Sequence, residues 1–273
     1  MNSLPYSLLR TLKKKLRSLR MPISRRFSIE MRLKAAYLLL PLAQYQGYQL
    51  RQNLPEFNSP QGNDFGEVKG KGKPLRLVVL GESTVVGIGA EHKENALAGH
   101  LARQLHFLKN RPVEWSAFGK VGLKINQFQV KILETIDKSK LVEADVIVMA
   151  LGVNDALSFT SLDQWRTGIS DAVKSLNQIN GRAPILFSGL PPMAHFPILP
   201  APLSWIMGLK AEQLSEELKT CISSLKQAHF LGMPLEKHTA LFAEDGMHPS
   251  EKGYFEWAHE IVLRGNPFIS NGV

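Results

Sequence analysis

A serine, Ser83, stands directly after a short apolar run, Leu77 to Leu80, and the Gly81-Glu82 turn that ends it. Far downstream, Asp245-Gly246-Met247-His248-Pro249 sets a carboxylate and an imidazole three residues apart, close enough for one loop to deliver both to one place. Hydrolysis through a serine needs a nucleophile, a base, a group that orients the base, and donors for the oxyanion. Ser83, His248 and Asp245 have the types for the first three roles. Gly122, in Lys120-Val121-Gly122-Leu123, and Asn154, in Gly152-Val153-Asn154-Asp155, offer a backbone N–H and a side-chain amide for the fourth. Each piece alone has a plainer reading. Gly-Glu-Ser-Thr is also a turn and a helix N-cap, Asn-Asp is commonly a turn or cap, and His248 could simply open the last helix. Of the other seven histidines none lies three residues after an Asp, and only His195, in a proline-rich loop, has a route to such a site.

Those residues can meet only if the elements between them bring loop ends together. Leu77 to Leu80, bounded by Lys71-Gly72-Lys73-Pro74 and Gly81, reads as a fully buried strand of a parallel sheet. Val113 to Phe118, Asp145 to Leu151 and Pro184 to Leu190 read as further strands. Helical periodicity covers Ala96 to Leu108, Lys124 to Ile136, Leu162 to Ile179, Leu209 to His229 and Ser250 to Leu263. The Pro191 to Pro202 segment cannot be regular structure and is expected to shape a site or cap the sheet edge. Strands alternating with helices imply an α/β fold with a mostly parallel sheet covered on both faces. Such sheets place ligands outside the carboxyl ends of their strands, where Ser83 and Asn154 fall.

Taken together the four blocks resemble the SGNH (GDSL-type) hydrolase family, from about Leu77 to Ala258. The resemblance implies the flavodoxin-like three-layer α/β/α fold of that family and cleavage of carboxylic esters in the manner of an esterase or lipase. It implies Ser83 as nucleophile, Asp245 and His248 as the Asp-x-x-His pair, and Gly122 and Asn154, with the Ser83 N–H, as oxyanion donors. One departure is Glu82, where the family usually has Asp before the serine; the charge is kept on a longer arm. Gly119 rivals Gly122 in the weakly marked second block, and Gly122 is preferred because a helical pattern starts right after it. A sugar O-acetyl esterase, or a non-catalytic lipid- or glycan-binding module on the same fold, are the alternatives.

Charge divides the chain into a basic N-terminal arm with amphipathic helix and linker, residues 1–70, and a hydrolase domain, residues 71–273. The net charge of +9 lies wholly in residues 1–34, which hold ten Lys/Arg against Glu30 alone. Leu8, Leu12, Leu16 and Leu19 fall at helical spacing among those cations, so the arm reads either as a segment for an anionic membrane surface or as a solvated tail. No aromatic interleaving or nucleic-acid module accompanies it, and nucleic acid is not expected as a partner. Ala35 to Ala43 is apolar for nine residues and contains Pro41, too short to span a bilayer, and reads as a helix on the domain or at a membrane surface. No clean signal-peptide cleavage site follows it. Asn53 to Pro74 reads as linker; its Gly66 to Lys71 stretch lacks the spacing of a phosphate loop. A single cysteine, Cys221, excludes an intramolecular disulfide and suits a reducing compartment. The expected location is cytoplasmic, at most peripheral at the inner membrane surface. No metal cluster or dinucleotide fingerprint is visible, so neither metal nor cofactor is expected.

Overall fold

Alternate residues of strand β2 (Leu75–Gly81) face opposite sides of a sheet, and both sides are apolar. Leu75, Leu77 and Val79 point into one core, and Val78 and Leu80 into the other. That is the condition for a strand covered on both faces, and it explains the run's lack of polar alternation. The structure, a computed structural model, describes residues 25–53, 59–233 and 239–269. The sheet has six strands in the order β1-β3-β2-β4-β5-β6, with β1 (Phe65–Val68), β3 (Val113–Gly119), β4 (Val146–Ala150), β5 (Ile185–Ser188) and β6 (Ala228–Gly232). All neighbours run parallel except β1, which is an antiparallel edge on β3.

The α-helices of the described residues are, in chain order, α1 (Arg25–Ala36), α2 (Leu40–Gln52), α3 (Ser83–Val86), α4 (Leu97–Lys109), α5 (Lys138–Val142), α6 (Val153–Leu157), α7 (Leu162–Ile179), α8 (Leu203–Ile222) and α9 (Glu251–Gly265). Leu97, Leu101 and Leu105 of α4 and Tyr254, Trp257 and Ile261 of α9 fill one core. On the other side Trp165, Ile169, Val173 and Leu176 of α7 share a core with Ile206, Leu214 and Leu218 of α8. Each such side chain contributes about 1.5–3 kcal/mol on burial. The result is three layers, helix, sheet, helix, as the alternation of elements implies. Ser161 begins α7 with a reciprocal capping box to Gln164, and the Ser250 hydroxyl accepts from Gly253 N to begin α9.

Four sequence expectations are corrected. The stretch Asn53 to Pro74 is not all linker, because Phe65–Val68 adds β1 to the sheet; its pairing is long-range and its side chains are exposed or only half-buried, so no local pattern marks it. The helix expected over Leu209 to His229 starts earlier and ends at Ile222, and Ala228–Gly232 is the edge strand β6. Ala-His-Phe-Leu-Gly has no β-branched residue to distinguish it from a continuing helix. Lys124 to Ile136 has Ile125, Phe128, Ile132 and Ile136 at the spacing of one helical face; it buries the first three and half-buries Ile136, but as a 3-10 turn, Ile125–Gln127, and a π-turn, Gln129–Leu133. Ala35 to Ala43 is divided by a 3-10 turn at Tyr37–Leu39, and Pro41 sits in the first turn of α2, where its missing N–H costs nothing. The amphipathic pattern of residues 4–20 lies outside the described residues. Among the described residues no helix is long and apolar enough to cross a membrane.

The sheet register sets the site. Gly81, the last residue of β2, pairs with Gly119 on one side and Ala150 on the other, so three strands end at one level. A Cβ at Gly81 would overlap the Ala150 carbonyl oxygen and lie 2.9 Å from a Val85 methyl. Gly81→Ala is therefore expected to separate β2 from β4 and cost at least about 2 kcal/mol, read as a lower urea midpoint with an unchanged slope.

Candidate active site

Three loops leave the aligned strand ends, and each carries one residue of the constellation. Ser83 opens the short helix α3 after β2, Gly122 lies in the turn after β3, and Asn154 is in the first turn of α6 after β4. Gly152 makes the last of these turns with φ +126, and a Cβ there would meet Leu190 and Trp165 within about 3 Å, so only glycine fits. The fourth loop precedes α9. Asp245 Oδ1 accepts from Met247 N at 2.7 Å and His248 N at 2.8 Å, folding the loop tightly on its own carboxylate. Ala243 N donates to His248 O at 2.8 Å, and Ile198 N to Gly246 O at 3.3 Å, tying this loop to the proline-rich one.

These loops bring Ser83 Oγ to 2.9 Å from His248 Nε2, across 165 residues of sequence. His248 Nδ1 lies 2.7 Å from Asp245 Oδ2. With the proton on Nδ1 the ring donates to Asp245 and accepts from the serine hydroxyl. Burial alone would raise the Asp245 carboxyl, but hydrogen bonds from the His248 ring, His248 N and Met247 N outweigh it and hold it below the usual range. The carboxylate therefore stays ionised beside the imidazole.

Glu82 is buried beneath the serine. Its Oε1 accepts from Val153 N at 3.0 Å, and its Oε2 accepts from Asn154 N at 3.2 Å and from the Asn154 side-chain amide. One carboxylate thus ties the β2 turn to the N-terminus of α6 and fixes one N–H of the Asn154 amide, leaving the other for the pocket. Asp155 is buried next to it and received no role from the sequence. It accepts from Ile125 N at 3.0 Å and from the Thr160 hydroxyl at 2.8 Å, joining the β3 and β4 loops. Burial pushes Glu82 up to about 7 and Asp155 up to about 6, against the hydrogen bonds that favour their charged forms.

A pocket of ≈ 230 Å³ opens over the serine. Ser83, Gly122, Asn154 and His248 border it, as does His195 from the proline-rich loop. Gly119 does not; it is the last residue of β3, packed against the backbone of α3. Asp245 stands behind the ring. The remaining wall includes Leu151, Leu157, Phe196, Phe242 and Met247, none of which carried a signal in the sequence because apolar pocket and apolar core read alike.

Fold and site define a hydrolase of esters, built on a three-layer α/β/α sandwich with its polar residues at the strand ends. The chain belongs to the GDSL-like Lipase/Acylhydrolase family, which it matches over residues 79–254. Among solved structures it is similar in fold to the lipase Lip_vut3 from a goat rumen metagenome, at 19% identity and TM-score 0.58, covering 70% of this chain and 97% of that one. It is similar also to a family 3 carbohydrate esterase of Clostridium thermocellum, at 16% identity and TM-score 0.54, covering 72% of this chain and 98% of the other. A Corynascus thermopiles (Myceliophthora fergusii) carbohydrate esterase family 2 enzyme with its carbohydrate binding domain aligns at 16% identity and TM-score 0.54, covering 73% of this chain and 69% of that one. The chain has no significant match among curated proteins.

The raised Glu82 value has a sign that can be measured. Between an ordinary 4.5 and about 7 the folded chain holds a proton that the unfolded chain has lost. Unfolding free energy should therefore fall as pH rises through that window, with Asp155 adding in the same sense at its lower end. Glu82→Gln, which cannot titrate, is expected to flatten the fall between pH 4.5 and 7 in urea titrations; an unchanged slope would mean that Glu82 is ionised throughout.

Proposed function

We propose that this protein is a serine carboxylesterase that works through an acyl-enzyme on Ser83. The observation that carries the reading is the unbroken hydrogen-bonded chain from Ser83 Oγ through the His248 ring to Asp245, opening on an apolar pocket. As Oγ attacks the ester carbonyl, His248 Nε2 takes its proton, and Asp245 holds the Nδ1 tautomer and stabilises the imidazolium. The oxyanion meets the Ser83 N–H, the Gly122 N–H and the second amide hydrogen of Asn154. Collapse expels the alcohol, which leaves with the proton from His248. Water then enters, gives its proton to the same nitrogen, and releases the acid and the serine.

The apolar wall favours an acyl chain as the group held beside Ser83. A sugar O-acetyl esterase needs little room for the acyl group and hydroxyl-binding side chains around it; some structural neighbours are carbohydrate esterases, but their likeness is one of fold. A non-catalytic binding module would have no need of an imidazole poised on the serine hydroxyl.

Hydrolysis of p-nitrophenyl esters of increasing chain length tests both parts of the reading. Turnover should favour chains beyond acetyl, and Ser83→Ala should abolish it together with labelling by a fluorophosphonate. Equal rates for wild type and Ser83→Ala after background subtraction would end the assignment. Asp245→Asn should slow acylation on the order of 10⁴-fold, as the same change does in a serine protease triad, with thermal unfolding still cooperative. A loss under about tenfold would show that the carboxylate does not orient the base.

A further inference from the structure

Eight of the nineteen large hydrophobic side chains exposed among the described residues fall between Phe27 and Tyr48, on α1, α2 and the turn that joins them. The other eleven are scattered from Phe65 to Phe268. α2 is inverted relative to an ordinary surface helix. Its polar Gln46 faces the protein, donating to Ala201 O at 2.8 Å and accepting from Leu203 N at 3.2 Å, with Ala43 buried on the same side. Its apolar Leu42, Tyr45 and Tyr48, three residues apart, are 50%, 61% and 59% exposed, and Leu38 just before them is 85% exposed. A contiguous apolar patch of this kind marks a surface that meets something.

The charge around the patch selects what it meets. From Met31 to Asn53 there is no Asp or Glu, while Arg32, Lys34 and Arg51 are present. Residues 1–24 add Arg10, Lys13, Lys14, Lys15, Arg17 and Arg20 and no acid. A second copy docked face to face would set this cationic region against itself, which is repulsive. An anionic lipid surface reverses the sign of every one of those interactions. Tyrosine is favoured at the headgroup level of a bilayer, where one end of the ring is apolar and the other wet. α1 and α2, with 12 and 13 residues, are well short of the roughly 20 needed to cross.

We infer that α1, α2 and the turn between them lie flat on a bilayer carrying anionic lipid, with Leu38, Leu42, Tyr45 and Tyr48 entering its interface and the net positive charge of residues 1–34 favouring its headgroups. The docking face is held to the hydrolase by the packing of α1 and α2 on α8. Arg32 of α1 and Trp205 of α8 line a groove together with Pro191, Pro192 and His195, and these last three also border the catalytic pocket. The docking helices and the mouth of the site are therefore neighbours. The inference is independent of the acyl-enzyme reading, since none of the four docking residues borders the pocket.

The test is co-sedimentation of the full chain with vesicles of equimolar phosphatidylcholine and phosphatidylglycerol, and of phosphatidylcholine alone, at low and high salt. Wild type should pellet with the anionic vesicles and less so at high salt. The double variant Leu42→Glu/Tyr45→Glu should lower the partition coefficient by at least about tenfold, while turnover of a soluble ester stays at the wild-type level. Tyr45→Phe should bind as wild type does. Should the glutamates disturb the fold, seen by circular dichroism, Leu38→Ser/Tyr48→Ser asks the same question. Wild type left in the supernatant with anionic vesicles at low salt overturns the inference. So does a folded double variant that pellets like wild type, which would mean that charge alone suffices for binding. A wild-type dimer that the double variant dissolves, with vesicle binding unchanged, would make the face a subunit contact instead.

Discussion

The Glu82 carboxylate is the clasp on which the site depends. It sits below Ser83, out of water, and binds three N–H groups of the Val153-Asn154 turn. Burying a carboxylate is costly, and the three donors offset only part of it, so burial still pushes Glu82 up to about 7. What the clasp secures is position. The turn after β2 and the turn after β4 are held as one unit, so the Ser83 hydroxyl and the Asn154 amide keep a fixed separation. Asp155 extends the unit to the β3 loop through Ile125. Aspartate is the usual residue before the serine in this family; the extra methylene of Glu82 is accommodated here with both oxygens engaged.

The clasp works only because the strands end together. Gly81 lies so close to the Ala150 carbonyl that no side chain fits between them, and Gly152 turns the chain at a φ that other residues avoid. His248 comes from a different source. Its loop folds on Asp245 and is held to the proline-rich segment through Ile198, so the imidazole is positioned against the sheet by contacts distant in sequence. Serine and imidazole are thus placed independently, one by the β2–β4 unit and the other by the entry to α9. The ring that bridges Ser83 and Asp245 is buried, which keeps water away from its bond to the carboxylate.

The N-terminal helices follow a different rule from the rest of the surface. α4, α7 and α9 turn their apolar faces to the sheet, whereas α2 anchors itself to the loop before α8 with a glutamine and turns leucine and tyrosine outward. An arrangement that leaves apolar side chains in water while using a polar one for docking makes sense when the outer face is not always in water. The charge asymmetry of the chain, with its whole excess in residues 1–34, points the same way.

Much of this was legible in the residue order. The apolar runs that begin at Leu77, Asp145 and Pro184 read as strands covered on both faces, because a short run without polar alternation has no side to turn to water. The four chemical blocks, and the departure at Glu82, are visible because a hydroxyl, an amide and a carboxylate beside an imidazole are distinctive types at distinctive spacing. Edge strands β1 and β6 were not legible: each is short, incompletely buried and stabilised by pairing with a strand distant in sequence. Nor was the winding of Ile125 to Leu133, where the apolar period marks the buried face but not the 3-10 and π pitch of the turns that carry it. The sequence by itself determined which groups could react and which runs must be buried, since both depend on side-chain type and local period. Only the tertiary structure decided that Ser83 and His248 lie 2.9 Å apart, that Glu82 binds the Val153-Asn154 turn, and that α2 turns its apolar side outward. Those three facts depend on how strands align and helices dock across long stretches of chain, and no local pattern encodes them.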